Sequence, residues 1–260
     1  MKNIKKSADI LLVNDCSKEP FHKLNKLSNI NKINILNLKK NLGSQKAISI
    51  GLKFLEKKKS KMIITILDSD GEDDSSKISK MIDTAEKHVS NVIVSCRTRR
   101  HENIFFKILY FFHKLITFIF TYHWISYGNY SSFSSINLEK ILSDKSSWLA
   151  YSASITKNCK IIKLYAVRKK RFFGISKLSF KGLVNHALRV NTVFIKKILF
   201  VSSFYILVLL NVNFMNYKMC FFIILMILSF NFFLILTLIL NKQSDFLKST
   251  NYIKNKRRSN

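Results

Sequence analysis

The sequence predicts an α/β protein: a doubly wound, mostly parallel sheet followed by a two-helix transmembrane hairpin. Three observations predict it. Short apolar runs alternate with helical patterns from residue 8 to about 97, the alternation that packs a parallel sheet between helices. These runs stop at polar clusters, as the ligand-facing edge of such a sheet does. Two long, uncharged apolar stretches lie near the C-terminus, and the second easily reaches the ~20 residues that span hydrocarbon.

Residues 9–13 and 33–38 are β-branched and apolar enough to be strands. A helix over 44–57 places Ile48, Leu52 and Leu55 on one face, with Ser44 as a cap. The run Ile63-Ile64-Thr65-Ile66-Leu67 is the next strand and ends in Asp68-Ser69-Asp70-Gly71. A helix over about 76–88 buries Ile78, Met81, Ile82 and Ala85, and residues 92–95 form a strand that ends in Cys96-Arg97.

The apolar stretches cover about 198–214 and 219–240. Lys196 and Lys197 precede the first, and Lys242, Lys248, Lys254, Lys256, Arg257 and Arg258 follow the second, whereas the connection between them holds only Lys218. The positive-inside rule therefore puts both termini and the N-terminal region in the cytoplasm. The expected organisation is a domain over 1–195, a transmembrane hairpin over 196–241 and a basic cytoplasmic tail over 242–260. Residues 103–124 are aromatic and apolar but broken by Lys107, His113 and Lys114. That mixture predicts a helix lying in the membrane interface, with a core helix or a third span as the other readings.

Composition narrows the class further. Lys and Arg number 44 against 15 Asp and Glu, a net charge of +29, which suits an anionic membrane surface. An AT-rich coding bias towards Lys, Asn, Ile and Phe accounts for part of that charge. The excess is spread along the chain, and nucleic-acid binding would leave the hairpin unexplained. Cys16, Cys96, Cys159 and Cys220 have no paired spacing, so neither a disulfide framework nor a zinc site is expected.

The chemistry collects at strand ends. Asp68 and Asp70 offer hard oxygen ligands to Mg²⁺ or Mn²⁺, which would bridge to the phosphates of a nucleotide; the same residues also suit a plain acidic turn. Asn14-Asp15-Cys16-Ser17, Asn41-Leu42-Gly43 and Arg97 terminate or follow the other strands. One sheet edge would thus gather carboxylates for a metal and a ribose, and a cation for phosphate.

In order, Val13-Asn14-Asp15-Cys16-Ser17, Asn41-Leu42-Gly43-Ser44-Gln45-Lys46-Ala47, Leu67-Asp68-Ser69-Asp70-Gly71-Glu72-Asp73, Arg97 and Arg171-Phe172-Phe173-Gly174-Ile175-Ser176-Lys177 resemble the family 2 glycosyltransferases. The nearest branch is the polyprenyl-phosphate, dolichol-phosphate mannose synthase-like one, whose bacterial members often end in a pair of membrane helices. The resemblance implies a GT-A fold and a metal-dependent, inverting hexosyl transfer from a nucleotide-sugar donor to a lipid-phosphate acceptor, in a multi-pass protein of the bacterial inner membrane. It implies a donor pocket of Asp15, Ser17, Asn41, Gly43, Lys46, Asp68 and Asp70, with Asp70 and Asp68 holding Mg²⁺ or Mn²⁺. Asp70, Arg97, Arg171 and Lys177 would be catalytic, and Arg171, Ser176 and Lys177 would receive the acceptor phosphate. A homo-oligomer is compatible with it.

Three departures stand out. Relatives carry a strand with a Pro-x-Tyr-Asn-Glu-like motif before the first strand seen here, so an N-terminally truncated sheet is expected. Asn14 replaces an Asp, and Tyr127 and Asn129 stand where relatives often carry an Asp. The alternative reading is therefore a catalytically impaired relative acting as a membrane scaffold or partner subunit.

Overall fold

A computed structural model describes residues 7–17, 29–58, 60–97, 104–167, 179–211, 216–242 and 244–259, with the side chains of 97, 258 and 259 excepted. The chain divides into two compact units: one of residues 1–100, 127–175 and 243–260, the other of residues 101–126 and 176–242.

The first unit holds two mixed sheets. In one, β1 (Ala8–Asn14) runs parallel to β2 (Ile30–Leu38), and β2 runs antiparallel to β7 (Ile253–Ser259). In the other the order is β3 (Ile63–Ile66), β5 (Tyr127–Ser134), β4 (Asn91–Arg97) and β6 (Lys160–Ala166). There β4 and β6 are parallel, while β5 is antiparallel to both its neighbours. The mostly parallel sheet expected from the sequence is thus corrected to a mixed one. Apolar periodicity reports which residues are strands but not their direction, and β5 and β7 each re-enter the unit after a long excursion of the chain.

Helix α1 (Ser44–Glu56) packs on β1, and Gly51 permits the approach: a Cβ there would meet the Val13 side chain at 3.0 Å. Its Ile50 and Leu52 are buried, whereas the predicted face residues Ile48 and Leu55 are half-buried. Helix α2 (Ile78–Lys87) buries Ile78, Met81 and Ala85 as its 3.6-residue pattern predicts. These residues form a core with Ile93 and Tyr130, and Ala8, Ile63, Leu67 and Ile82 pack against it. Helices α4 (Leu138–Leu142) and α5 (Tyr151–Asn158) flank a turn that buries Trp148.

The C-terminal residues are not a free tail. After α9 (Ser244–Leu247), β7 joins the edge of the first sheet. Trp148 stacks with Tyr252 at 6.3 Å and meets Phe246 edge-on at 6.1 Å, while Lys53 Nζ donates to the Phe246 and Leu247 carbonyls at 2.8 Å each. Asn14, Asn37 and Asn255 are in register across β1, β2 and β7 and hydrogen-bond in series at 2.9 and 2.7 Å. An Asn at position 14 donates to its neighbour, which an ionised Asp could not do.

The second unit is helical: α3 (Ile104–Thr121), α6 (Phe180–Thr192), α7 (Ile195–Leu210) and α8 (Tyr217–Leu240). Ser179 caps α6 by accepting from the Gly182 N–H, and α6 meets α7 at 88°. Arg189 Nη2 donates to Asn241 at 2.9 Å and Ser202 to Asn231 at 3.1 Å, tying α6 and α7 to α8 and its end. By length and composition α3 and α8 could each cross a membrane, and α8 exposes large apolar side chains such as Phe221, Phe222 and Phe232.

Candidate functional site

The site lies in the first unit, where the ends of β1 and β3 reach the first turn of α1. The chain turns sharply after Leu42: Gly43 has φ +86°, a left-handed conformation that suits only glycine well. That turn aims two backbone N–H groups at Asp15, whose carboxylate accepts from Leu42 N at 2.7 Å and Gly43 N at 2.8 Å. A carboxylate at a helix N-terminus satisfies donors that the helix cannot and also complements its dipole.

The same helix reaches the second sheet through a side-chain relay. The Tyr151 N–H donates to Gln45 Oε1 at 2.7 Å, Gln45 Nε2 donates to Asn129 Oδ1 at 3.1 Å, and Asn129 Nδ2 donates to Asp68 at 3.2 Å. Its two ends fix its direction, because a backbone N–H can only donate and an ionised carboxylate can only accept. Strand register explains why Asn129 meets Asp68: Ile66 pairs with Ser131 in an antiparallel ladder, so two positions further out, on the same face, 68 lies opposite 129.

Beyond Asp68 the acidic loop organises itself. Asp73 accepts from the Asp68 N–H at 3.0 Å, and Asp70 from the Glu72 N–H at 3.1 Å across Gly71, whose φ is +81°. Asp74 accepts from both the N–H and the hydroxyl of Ser76 and so starts the next helical turn. Tyr130 donates to the Asp74 carbonyl at 3.1 Å. Burial, together with the Asp73 and Asp74 carboxylates, pushes its pKa up, so Tyr130 is a neutral hydrogen-bond donor and not an acid at neutral pH.

The predicted donor-pocket residues are distributed unevenly. Asp15, Gly43 and Asp68 converge on the α1 turn, and Asp70 follows Asp68 in the loop. Asn41 and Ser17 are exposed nearby in sequence, with the Ser17 N–H donating to Asn14 Oδ1 at 2.9 Å. Lys46 sits with its Nζ 5.0 Å from the Trp148 ring centre, a cation–π contact. The backbone of Arg97 closes β4 opposite Ala166, while its side chain lies outside the described residues. Arg171, Ser176 and Lys177 also lie outside them.

Gln45, Asn129 and Tyr151 were not singled out as site residues by the sequence. The usable signal was Gln45 at a buried position in the first turn of an otherwise apolar helix, and a polar Asn129 where relatives often carry an Asp.

Whether a cation suits this site depends on what it must bridge. Among the described residues no three His, Cys, Asp or Glu converge into a ready cage. Mg²⁺ on a diphosphate needs only one or two protein carboxylates, the remaining ligands being phosphate oxygens and water. Asp70 and Asp68 fit that requirement, with Asp68 already oriented by Asn129.

No curated protein matches the chain. Residues 2–142, more than half of its length, match the family model of glycosyl transferase family 2; the matched segment carries the Asp15 turn, the start of α1 and the Asp68–Asp70 loop, and the chain belongs to that family, whose α/β domain has the GT-A fold and whose members transfer sugars from nucleotide-sugars.

Proposed function

We propose that this chain is a membrane-anchored transferase that moves a hexose, with inversion, from a nucleotide-sugar to a polyprenyl phosphate on the cytoplasmic face of a membrane. The observation that carries the reading is the α1 turn, which holds Asp15 from one sheet and, through Gln45 and Asn129, Asp68 from the other. Two strand-terminal carboxylates fixed to one helix turn make a preorganised edge for a nucleotide.

In this reading Asp70, with Asp68, holds Mg²⁺ or Mn²⁺ against the donor diphosphate, and the bound ion would neutralise charge that builds on the leaving group. Asp15 keeps the Leu42–Gly43 turn in place beside the nucleotide, with Asn41, Ser17 and Lys46 around it. Arg97, Arg171 and Lys177 take phosphate oxygens of donor or acceptor, the planar Arg fork binding two at once. Ser176 adds a hydroxyl donor to the acceptor phosphate. A phosphate acceptor is already ionised at neutral pH, so Asn129 in place of a carboxylate removes no base that the transfer needs.

Membrane attachment is supported by α7 and α8, whose exposed Phe200, Phe204, Leu207, Phe221 and Phe222 suit a hydrocarbon environment. The Lys196–Lys197 and C-terminal basic flanks suit the cytoplasmic side.

The test is donor-product binding. Titration of the full chain in detergent with a set of nucleoside diphosphates should find one that binds more tightly in Mg²⁺ than in EDTA. Asp70→Asn should weaken that binding by about tenfold or more in Mg²⁺, ~1.4 kcal/mol or more, and leave the EDTA value unchanged. Equal affinities for the two proteins in Mg²⁺ would remove Asp70 from the metal site.

A further inference from the structure

The turn after β1 is held from two sides, and one of them leads to a distant strand. Cys16 has φ +58°, a left-handed conformation that a side chain makes costly. Such a residue persists where its surroundings over-determine it. Towards α1, Asp15 accepts from Leu42 and Gly43; on the other side, Asn14 Oδ1 accepts from the Ser17 N–H at 2.9 Å. Val13 faces α1 at Gly51, so Asn14, the next residue, lies on the opposite face of the strand.

On that face Asn14 begins a row. It pairs with Asn37 at the last position of the β1–β2 ladder, and Asn37 pairs with Asn255 of β7. All three are half-buried. The Ser17 N–H can only donate, so Asn14 turns Oδ1 towards it and Nδ2 towards Asn37. Asn37 then accepts at Oδ1 and donates from Nδ2 to Asn255 Oδ1, as the 2.9 and 2.7 Å contacts show. Each amide sets the orientation of the next. Asn255 lies 218 residues beyond Asn37 in the chain, yet three hydrogen bonds join it to the Ser17 N–H. The row can tolerate one acceptor-only residue at either end, but not two. An Asn37 amide has its nitrogen on one side and its oxygen on the other, so it cannot donate both ways.

We infer that Asn255 is a positioning residue for the nucleotide pocket. Through Asn37 and Asn14 it holds the Ser17 N–H, and with it the strained Asp15–Ser17 turn, in the geometry that receives the nucleotide. Strand β7 follows the apolar helix α8, so the pocket is complete only when the chain beyond that helix has docked on β2. This rests on the reading of Asp15 and Ser17 as part of the donor pocket.

A double-substitution cycle read by nucleotide affinity tests it on the full chain in detergent, at about 0.15 M salt to screen added charge. The probe is the nucleoside diphosphate that wild type binds most tightly in Mg²⁺. Asn255→Ala removes the acceptor that Asn37 donates to and should weaken binding about fivefold. Asn255→Asp keeps that acceptor and should stay within about twofold of wild type. Asn14→Asp makes the row run the other way, with Asn37 and Asn255 turning to donate towards position 14, and should stay within about threefold. Joined in one chain, the two Asp substitutions face Asn37 with an acceptor on each side. That chain should bind about fivefold more weakly than the two single effects combine to. Purely additive effects would mean that no row couples the ends, and would overturn the inference. So would an Asn255→Ala chain that melts earlier yet binds like wild type well below its midpoint, since Asn255 would then only fasten β7. Should Asn255→Ala fail to fold, the Asp cycle decides by itself. A wild-type chain that binds no nucleoside diphosphate sinks the donor-pocket reading itself, and leaves the row no pocket to position.

Discussion

Asp15 shows how closely fold and site are joined at the level of one side chain. Its two oxygens accept from Leu42 and Gly43, so it holds the turn that leads into α1 whatever ligand it also approaches. Asp15→Ala would strand the two N–H donors of the Leu42–Gly43 turn and should destabilise the protein by about 1–2 kcal/mol. Asp15→Asn, which keeps one acceptor oxygen, should lose less. Thermal melting of the detergent-solubilised chain, followed by circular dichroism, measures both. An unchanged midpoint for Asp15→Ala would contradict this role in holding the turn. The sequence showed Asp15 as a polar strand terminus, but the residues that meet it come from a turn after β2, and only the tertiary path reveals them. Asp68 was legible for the same reason, whereas its orienting partner Asn129 depends on the antiparallel register of β5, which side-chain periodicity does not encode.

Among the elements, the strands of the first ninety-seven residues and helices α1 and α2 were legible because their apolar spacing is strong. The last strand was not. Ile253-Lys254-Asn255-Lys256-Arg257-Arg258 reads as a basic tail, yet it pairs along β2 from Leu38 to Ile33. Lysine and arginine are what an edge strand carries to discourage further pairing, so the charge that disguised β7 suits its position. Removing residues 253–260 should bare the β2 edge, break the Asn37–Asn255 bond and lower the melting midpoint, with soluble oligomers appearing in size-exclusion chromatography. A truncated chain that melts and elutes like the full-length one would show β7 to be dispensable. Helix α3 is expected from its sequence to lie in the membrane interface, and its length and composition also suit a span.

At the scale of the whole molecule, the chain combines a family 2 glycosyl transferase domain with a helical unit whose described residues contain Lys and Arg but no Asp or Glu. The sheet pairing of β7 brings the chain after α8 back to the unit it left after β6; in the proposed membrane reading, α7 and α8 would together cross an even number of times. In that reading the basic residues flanking both helices would face the cytoplasm, with the Asp68–Asp70 loop on the same side as the C-terminus. The central claim is that this loop serves sugar transfer to a lipid phosphate. The most direct test incubates membranes carrying the full chain with Mg²⁺, a polyprenyl phosphate and each of a panel of radiolabelled nucleotide-sugars, then counts label in the organic phase. The account predicts that one nucleotide-sugar labels the lipid and that Asp70→Asn, inserted to the same level, abolishes the labelling; label that persists in Asp70→Asn, or a wild-type chain that labels no lipid with any donor, would contradict it.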